Sequence, residues 1–481
     1  MNSLSPSSST SARWDARLWG ALIVLCGVVF LDALDVSMVG VALPSIRADL
    51  GLSTSELQWV VSGYVLAYGG LLLLGGRTAD LLGRKRTLLI ALGGFVLASA
   101  LGGIAQDGTV LVAARVVKGL SAAFTAPAAL SIITTTFPEG PARNRALSIF
   151  TTVGASGFSL GLVLGGALTE LGWRYTFLLA APVALVLLIA GPRLIPADRG
   201  VSGGLRAFDI PGAVTVSAGM LLLVHTVVEA PSAGWTAAST IGGFVAAVAL
   251  LALFVVIERR SRHPLVRLGI FRSGALVRAN VAAMALFGAY LGFQFIGTLY
   301  MQSLLGWSPI VTALAFLPAG LIVAVGSTRV GALVDRFGTA RLLALGFAFL
   351  AVGYALFLRI DDAPVYAAAI LPTIVLLGLG FALAFPSLNI QATAGVADHE
   401  QGLAGGLVNS SIQVGGAIGL AIVTAVGTSA GGVSGSPTQV LDAFRPGLAV
   451  ATGVAALGLV VALSGLLQRE RHAQPATVAD G

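Results

Sequence analysis

The stretch Gly76-Arg-Thr-Ala-Asp80-Leu-Leu-Gly83-Arg-Lys-Arg86 returns later in the chain as Gly331-Ala-Leu-Val-Asp335-Arg-Phe-Gly338-Thr-Ala-Arg341. Each copy is a short charged turn between long apolar runs, and each comes after the second run of a set of six. The copies therefore mark two homologous halves, an architecture of carriers with a site near the bilayer midplane. Outward from them, helical apolar runs fall at about 17–42, 56–76, 86–106, 109–136, 144–169, 174–195, 211–229, 238–257, 277–304, 308–328, 340–358, 364–390, 402–427 and 446–467. Each is close to the roughly 20 residues a helix needs to cross a bilayer. The sequence thus predicts an all-α polytopic membrane protein with fourteen spans. Its divisions are a disordered tail at 1–16, a six-helix bundle at 17–195, a two-helix insert with its linkers at 196–275, a second bundle at 276–467 and a tail at 468–481.

Composition agrees. Hydrophobic residues make up 56% of the 481 positions and charged residues 10%, where a soluble chain carries about a quarter charged. The mean hydropathy is +0.93. Cys26, the single cysteine, lies in the first apolar run, which excludes an intramolecular disulfide, and four scattered histidines offer no metal-ligand spacing. The Ser-rich start, Ser3 to Ser11, reads as disordered. The first apolar run is too long, and too interrupted by Asp32 and Asp35, for a cleaved signal peptide. The net charge of +7 does not point to nucleic acid, because the basic residues sit in short turns rather than in a patch. With the N-terminus inside, Arg47, Arg174, Arg359 and Arg445 fall outside, and Arg115 and Lys118 fall within a span. The other 22 of the 28 Lys and Arg fall inside. That asymmetry fits the positive-inside rule and predicts two cytoplasmic termini.

These residues resemble the major facilitator superfamily, and within it the fourteen-helix drug:proton antiporters, over nearly the whole chain. The turn at 76–86 is similar to the superfamily signature, and 331–341 to its weaker echo. Leu34-Asp35-Val-Ser-Met-Val-Gly40-Val-Ala-Leu-Pro44 resembles the first-helix motif, with Gly40 where that group has Asn. Leu111-x-x-x-Arg115-Val-x-x-Gly119 resembles the fourth-helix motif, with Lys118 where Gln is usual. Gly157-x-x-x-Gly161-Leu-Val-Leu-Gly165-Gly166 resembles the fifth-helix antiporter motif, with Leu162 replacing its proline. Trp173-Arg174-Tyr175 and Ala404-Gly405-Gly406-Leu-Val-Asn409 belong to the same pattern.

Asp32 and Asp35 are the acidic residues that this topology puts inside a span, three apart on one helix face. A carboxylate there has to be protonated, paired or wet. Arg115 lies at the same depth as Asp35, so Asp35 and Arg115 are the expected proton-linked pair, with Asp32 meeting the proton or a cationic cargo. Burial and a neighbouring guanidinium act against each other on a carboxylate's hold on its proton, and an opening cavity changes both. The alternative is static polar glue between helices. Lys118 is either a second counter-ion or a snorkelling side chain.

In the signature turns, Gly76 and Gly83 allow close approach and a tight turn. Asp80, with Arg84 and Arg86 beside it, reads as a cytoplasmic gate, with Gly331, Asp335 and Gly338 as its counterparts; the alternative is a topology signal of solvated positive charge, which Arg84 to Arg86 supply in either case. The resemblance implies that Asp80 meets the start of span thirteen, near Gly402. Gly157, Gly161 and Gly165 form a small-residue stripe, continued back to Gly154, read either as static packing or as a sliding surface between the halves. The resemblance also implies that the first and fourth helices of each half line the cavity. That makes Tyr290, Phe293, Gln294, Phe381, Phe385, Asn389, Asn409 and Gln413 candidate cargo contacts, with core packing as the alternative for each. His225 reads as an ordinary satisfied histidine.

The expectation is a proton-coupled exporter of lipophilic, cationic or neutral small molecules in the cell (inner) membrane. It has no cofactor, the proton gradient drives it, and its partners are its cargo, protons and the lipid bilayer, with a monomer as the expected state. No nucleotide-binding motif points to ATP. Rival readings are a proton-coupled carrier for one endogenous metabolite, a membrane-embedded enzyme, for which no nucleophile–base pair is visible, and a non-transporting sensor.

Overall fold

The computed structural model describes residues 14–138, 141–197, 209–261, 264–326, 329–394, 396, 401–428 and 437–473; the tails expected at 1–16 and 468–481 lie mostly outside them. The chain forms fifteen α-helices among these residues. They are α1 (Ala16–Leu50), α2 (Thr54–Leu82), α3 (Arg84–Gly103), α4 (Gly108–Thr136), α5 (Pro141–Leu171), α6 (Arg174–Leu194), α7 (Ile210–Ala233), α8 (Ala238–Arg260), α9 (Gly274–Leu299), α10 (Pro309–Gly326), α11 (Val330–Phe337), α12 (Thr339–Phe357), α13 (Leu371–Thr393), α14 (Gln401–Thr428) and α15 (Pro437–Ala473). Fourteen are long and apolar enough to cross a membrane; α11 is the short exception.

The helices start where the sequence supplies acceptors for their first amides. Asp15, Asp107 and Asp209 accept from Leu18, Val110 and Gly212, and Ser53 with Glu56 forms a reciprocal capping box on α2. Two helices run further than hydropathy suggests. α1 continues through Pro44 and Arg47 to Leu50, where Gly51 at φ +65° ends it, and α15 begins nine residues before Pro446. A proline removes one backbone donor, but packing on both sides of it keeps the helix going. α15 also stays helical to Ala473, beyond the expected start of the tail.

The halves repeat each other's packing. α1 lies on α5 and α6, α2 on α4, and α3 on α4 and α6; likewise α9 lies on α14 and α15, α10 on α13, and α12 on α13 and α15. The halves meet through α2 against α14 and α5 against α10. Three hydrogen bonds that join them lie toward the end carrying the α1–α2 turn. Gln302 Nε2 donates to Val41 O (2.9 Å), Thr424 Oγ1 to Gln58 Oε1 (2.6 Å) and Ile310 N to Glu170 Oε1 (3.4 Å). At the same end Asp49 accepts from Trp173 Nε1 and Arg174 Nη1, and Arg174 also reaches Ala105 O, which ties α1, α3 and α6. α7 packs on α2 and α14, and α8 packs on α7, so the insert leans on one seam between the halves.

The glycine stripe of α5 is not a sliding surface between the halves. A Cβ at Gly157 would sit 2.6 Å from Phe30 O, one at Gly161 2.7 Å from Leu34 O, and one at Gly165 2.6 Å from Met38 Cα, all on α1 of the same half. Gly166, one residue further round the helix, is the glycine that meets α10, at Ile310 and Ala313. The second half repeats the device, with Gly415 and Gly419 of α14 against Met284 and Gly288 of α9. Gly161→Leu is expected to force α1 and α5 apart, costing about 1–3 kcal/mol for overpacking, or more because backbone is what it meets. A drop in melting temperature in detergent checks it, and an unchanged melting temperature would count against this packing.

Candidate functional site

α1 contributes Asp32 and Asp35, and α4 contributes Arg115 and Lys118. α4 can approach because Gly119 has no side chain: a Cβ there would lie 2.1 Å from Tyr64 O on α2. The same closeness lets Arg115 Nε donate to Val60 O at 2.8 Å and lays its guanidinium 4.5 Å from the Tyr64 ring centroid. Asp35 is fully buried and is gripped from both sides: Arg115 Nη1 bonds Oδ2 and Lys118 Nζ bonds Oδ1. Lys118 Nζ also lies 4.8 and 4.9 Å from the rings of Phe95 on α3 and Phe177 on α6. Of its two sequence readings, the counter-ion is the one observed.

Asp32, one turn earlier, is 7% exposed, and among the described residues its one hydrogen-bond donor is Thr125 Oγ1 at 3.4 Å. The two aspartates are therefore unlike. Asp35 has charged partners on both oxygens, whereas Asp32 meets one hydroxyl and keeps acceptor capacity.

A cavity between the halves reaches this site. It is lined by Val36, Gly40 and Leu43 of α1, Val61 of α2, Arg115 of α4, and Leu291 and Gln294 of α9. Gln294 Nε2 lies 3.0 Å from where a Gly40 Cβ would be, so the opposite half occupies the space that Asn would take. Tyr290 bridges the halves, its ring 6.0 Å from Phe158 of α5 and 4.8 Å from Phe381 of α13. Phe287 then continues the aromatic row from Phe381 to the exposed Phe385, at 5.6 and 5.8 Å.

Phe293 is fully buried inside the second half against Phe316, Tyr354 and Phe357, because it points a turn's fraction away from Tyr290 and Gln294. Asn389 and Asn409 donate back to Phe385 O and Gly405 O of their own helices. Gln413 packs where α14 crosses α2, its Cβ 2.6 Å from the Cβ position of Gly69.

In the signature turns, Gly83 and Gly338 adopt φ +96° and +82° at equivalent places, which a side chain would strain. Gly76 does not serve close approach, since a Cβ there would meet nothing nearer than Pro127 Cβ at 3.6 Å; Gly75 does, for a Cβ there would lie 2.0 Å from Ala123 O. A Cβ at Gly331 would meet nothing within 4 Å, and Asp335 is exposed on α11. The Asp80 side chain lies outside the described ones, as do the side chains at the start of α14, including Gly402. Arg84 is half-buried and Arg86 exposed, while Lys85 Nζ caps α6 through Pro192 O (2.8 Å) and Ile195 O (2.7 Å).

The insert does carry acidic residues on its spans. Glu229 of α7 accepts from Trp59 Nε1 at 2.8 Å, and the His225 ring lies 5.6 Å from Trp59. Glu258 of α8 is buried and accepts from Leu265 N and Val266 N. Hydropathy alone closes both helices a turn early and so puts these carboxylates at their ends.

Comparison with known proteins places the chain. The Major Facilitator Superfamily profile matches residues 25–420 and 330–478. The chain is 40% identical to the puromycin resistance protein pur8 of Streptomyces alboniger, covering 93% of this chain and 91% of that one. It is 37% identical to the cephamycin export protein CmcT of Amycolatopsis lactamdurans, covering 92% and 91%. Among solved structures it superposes on the POT family transporter PepTSo with a TM-score of 0.68 at 16% identity, over 95% of this chain and 99% of that one, which bears on fold alone.

Proposed function

Because the chain belongs to the Major Facilitator Superfamily, we propose that it exports lipophilic, antibiotic-like molecules across the cell (inner) membrane in exchange for protons. The observation that carries this is a buried set of four charges, Asp32, Asp35, Arg115 and Lys118, with Arg115 on the wall of the cavity between the halves. Intramembrane ionisable groups on a cavity mark substrate and proton pathways. The relatives' names, resistance to puromycin and export of cephamycin, support antibiotic-like cargo. The membrane potential supplies about 2.3 kcal/mol per charge per 100 mV, so the carrier needs no nucleotide.

Basic residues concentrate at the α2–α3 end, which supports a cytoplasmic position for that end and for both termini. Tyr290, Phe381, Phe287 and Phe385 give cargo an aromatic wall, and Asp32 gives a carboxylate that takes a proton or faces a cationic group. Asp35 is the anchor that holds two cations in register. The protein works as a carrier rather than an enzyme, and as a single chain that holds both halves.

A second reading, a carrier dedicated to one metabolite, is favoured by α5, which runs unbroken past Leu162 where the antiporter pattern has proline. Inside-out vesicles with an acidic lumen separate the two. Uptake of puromycin or a fluorescent lipophilic cation that stops when a protonophore collapses the gradient is the expected result. Vesicles that move neither, yet exchange a cellular metabolite for protons, would replace export of antibiotics with the dedicated carrier.

A further inference from the structure

We propose that Lys118 is a positioning residue for the proton step, a counter-ion that passes from Asp35 to Asp32 when Asp32 gives up its proton. The proposal rests on the antiport reading above and concerns how that site releases charge. Asp32 and Asp35 are separated by three residues on one face of α1, and they meet two side chains of α4 that lie two turns apart on one face: Lys118 Nζ bonds Asp35 Oδ1 and Thr125 Oγ1 bonds Asp32 Oδ2. Asp35 does not need it to stay paired, since Arg115 holds the other oxygen and is itself fixed by Val60 O and the Tyr64 ring. Lys118 is thus the movable member of the pair of cations. Its Nζ lies between the faces of Phe95 and Phe177, which attract an ammonium ion without fixing its direction as a hydrogen bond would.

Charge counting gives the reason to move. With a proton on Asp32, two cations face one anion; after its release, two face two. A bare Asp32 carboxylate in this buried place is costly unless a cation comes to it. The remaining ionisable groups facing the pair are Tyr64 and Tyr68 of α2, and the Tyr64 hydroxyl has no hydrogen-bond partner among the described residues. The sides from α3 and α6 are the two phenylalanines, so among the described residues no other cation is placed to serve.

The test compares the pH profile of gradient-driven export for wild type, Lys118→Gln and Lys118→Arg in reconstituted vesicles, with cargo-for-cargo exchange as the control. Lys118→Gln is expected to move half-maximal export alkaline by about one pH unit, because the proton is released less readily without the cation. Cargo-for-cargo exchange reports how much working carrier each sample contains, and Lys118→Arg should keep the wild-type profile. A Lys118→Gln profile identical to wild type, with only less folded protein, overturns the proposal, as does a Lys118→Arg profile displaced like that of Lys118→Gln. If Lys118→Gln does not fold, adding Asp32→Asn removes the excess negative charge. Recovery of folded protein then supports the coupling, and no recovery overturns it. A wild type that exports without any proton dependence would sink the antiport reading instead, which is a different result.

Discussion

Asp35→Asn is expected to abolish gradient-driven export and to lower stability at the same time. The substitution leaves Arg115 and Lys118, both fully buried, facing a neutral amide. Removing one partner of a buried ion pair costs about 3–5 kcal/mol, because the charge left behind has lost its water and gained nothing. Here two charges are left, although Arg115 keeps its bond to Val60 O and its place on Tyr64. At 1.4 kcal/mol per factor of ten, a 3 kcal/mol penalty on one state of the cycle is roughly a hundredfold in its population. Thermal unfolding in detergent and vesicle export measure the two effects separately. Asp35→Glu, which keeps the charge on a longer stem, should retain more of both. Full proton-dependent export by Asp35→Asn would show that the pair is ornamental and that coupling lies elsewhere.

The fold was legible because its signals are repeated. Fourteen apolar runs, a duplicated charged turn and a one-sided distribution of Lys and Arg all require the same architecture, and errors at individual ends cannot disturb it. Those ends were lost for a local reason. Pro44 and Pro446 look like stops in a sequence, but helices held on both sides run through them. The alignment of Asp35 with Arg115 was legible from depth alone, since helix geometry fixes rise per residue.

Azimuth was less readable. Which way Lys118 turns, or that Phe293 leaves the row of Tyr290 and Gln294, depends on where α4 and α9 touch their neighbours. The glycine stripe of α5 shows the same limit. Its spacing announces a close contact but not the partner, and the partner is α1 of the same half. Glu229 is ambiguous in the sequence because one extra helical turn decides whether a carboxylate counts as a turn residue or as part of a span.

The second large effect separates Asp32 from Asp35. Asp32→Asn is expected to fold about as well as the parent, because an amide oxygen still accepts from Thr125 and no buried cation loses its anchor. Asparagine is a fair copy of the protonated carboxyl in shape and charge, so it holds the site permanently in its proton-loaded condition. A carrier fixed there still binds a neutral cargo and alternates with it, so exchange of a neutral cargo should stay within a few-fold of wild type. Accumulation against a gradient requires the proton to leave, and that step is gone; export driven by the gradient should fall to background and lose its pH dependence. Asp35→Asn, by contrast, should damage exchange and folding along with coupling. Measuring exchange and accumulation on the same vesicles therefore assigns the roles. If Asp32→Asn accumulates cargo with the wild-type pH profile, the proton is carried at Asp35 against the grip of both cations, and the site works by breaking that pair in every cycle.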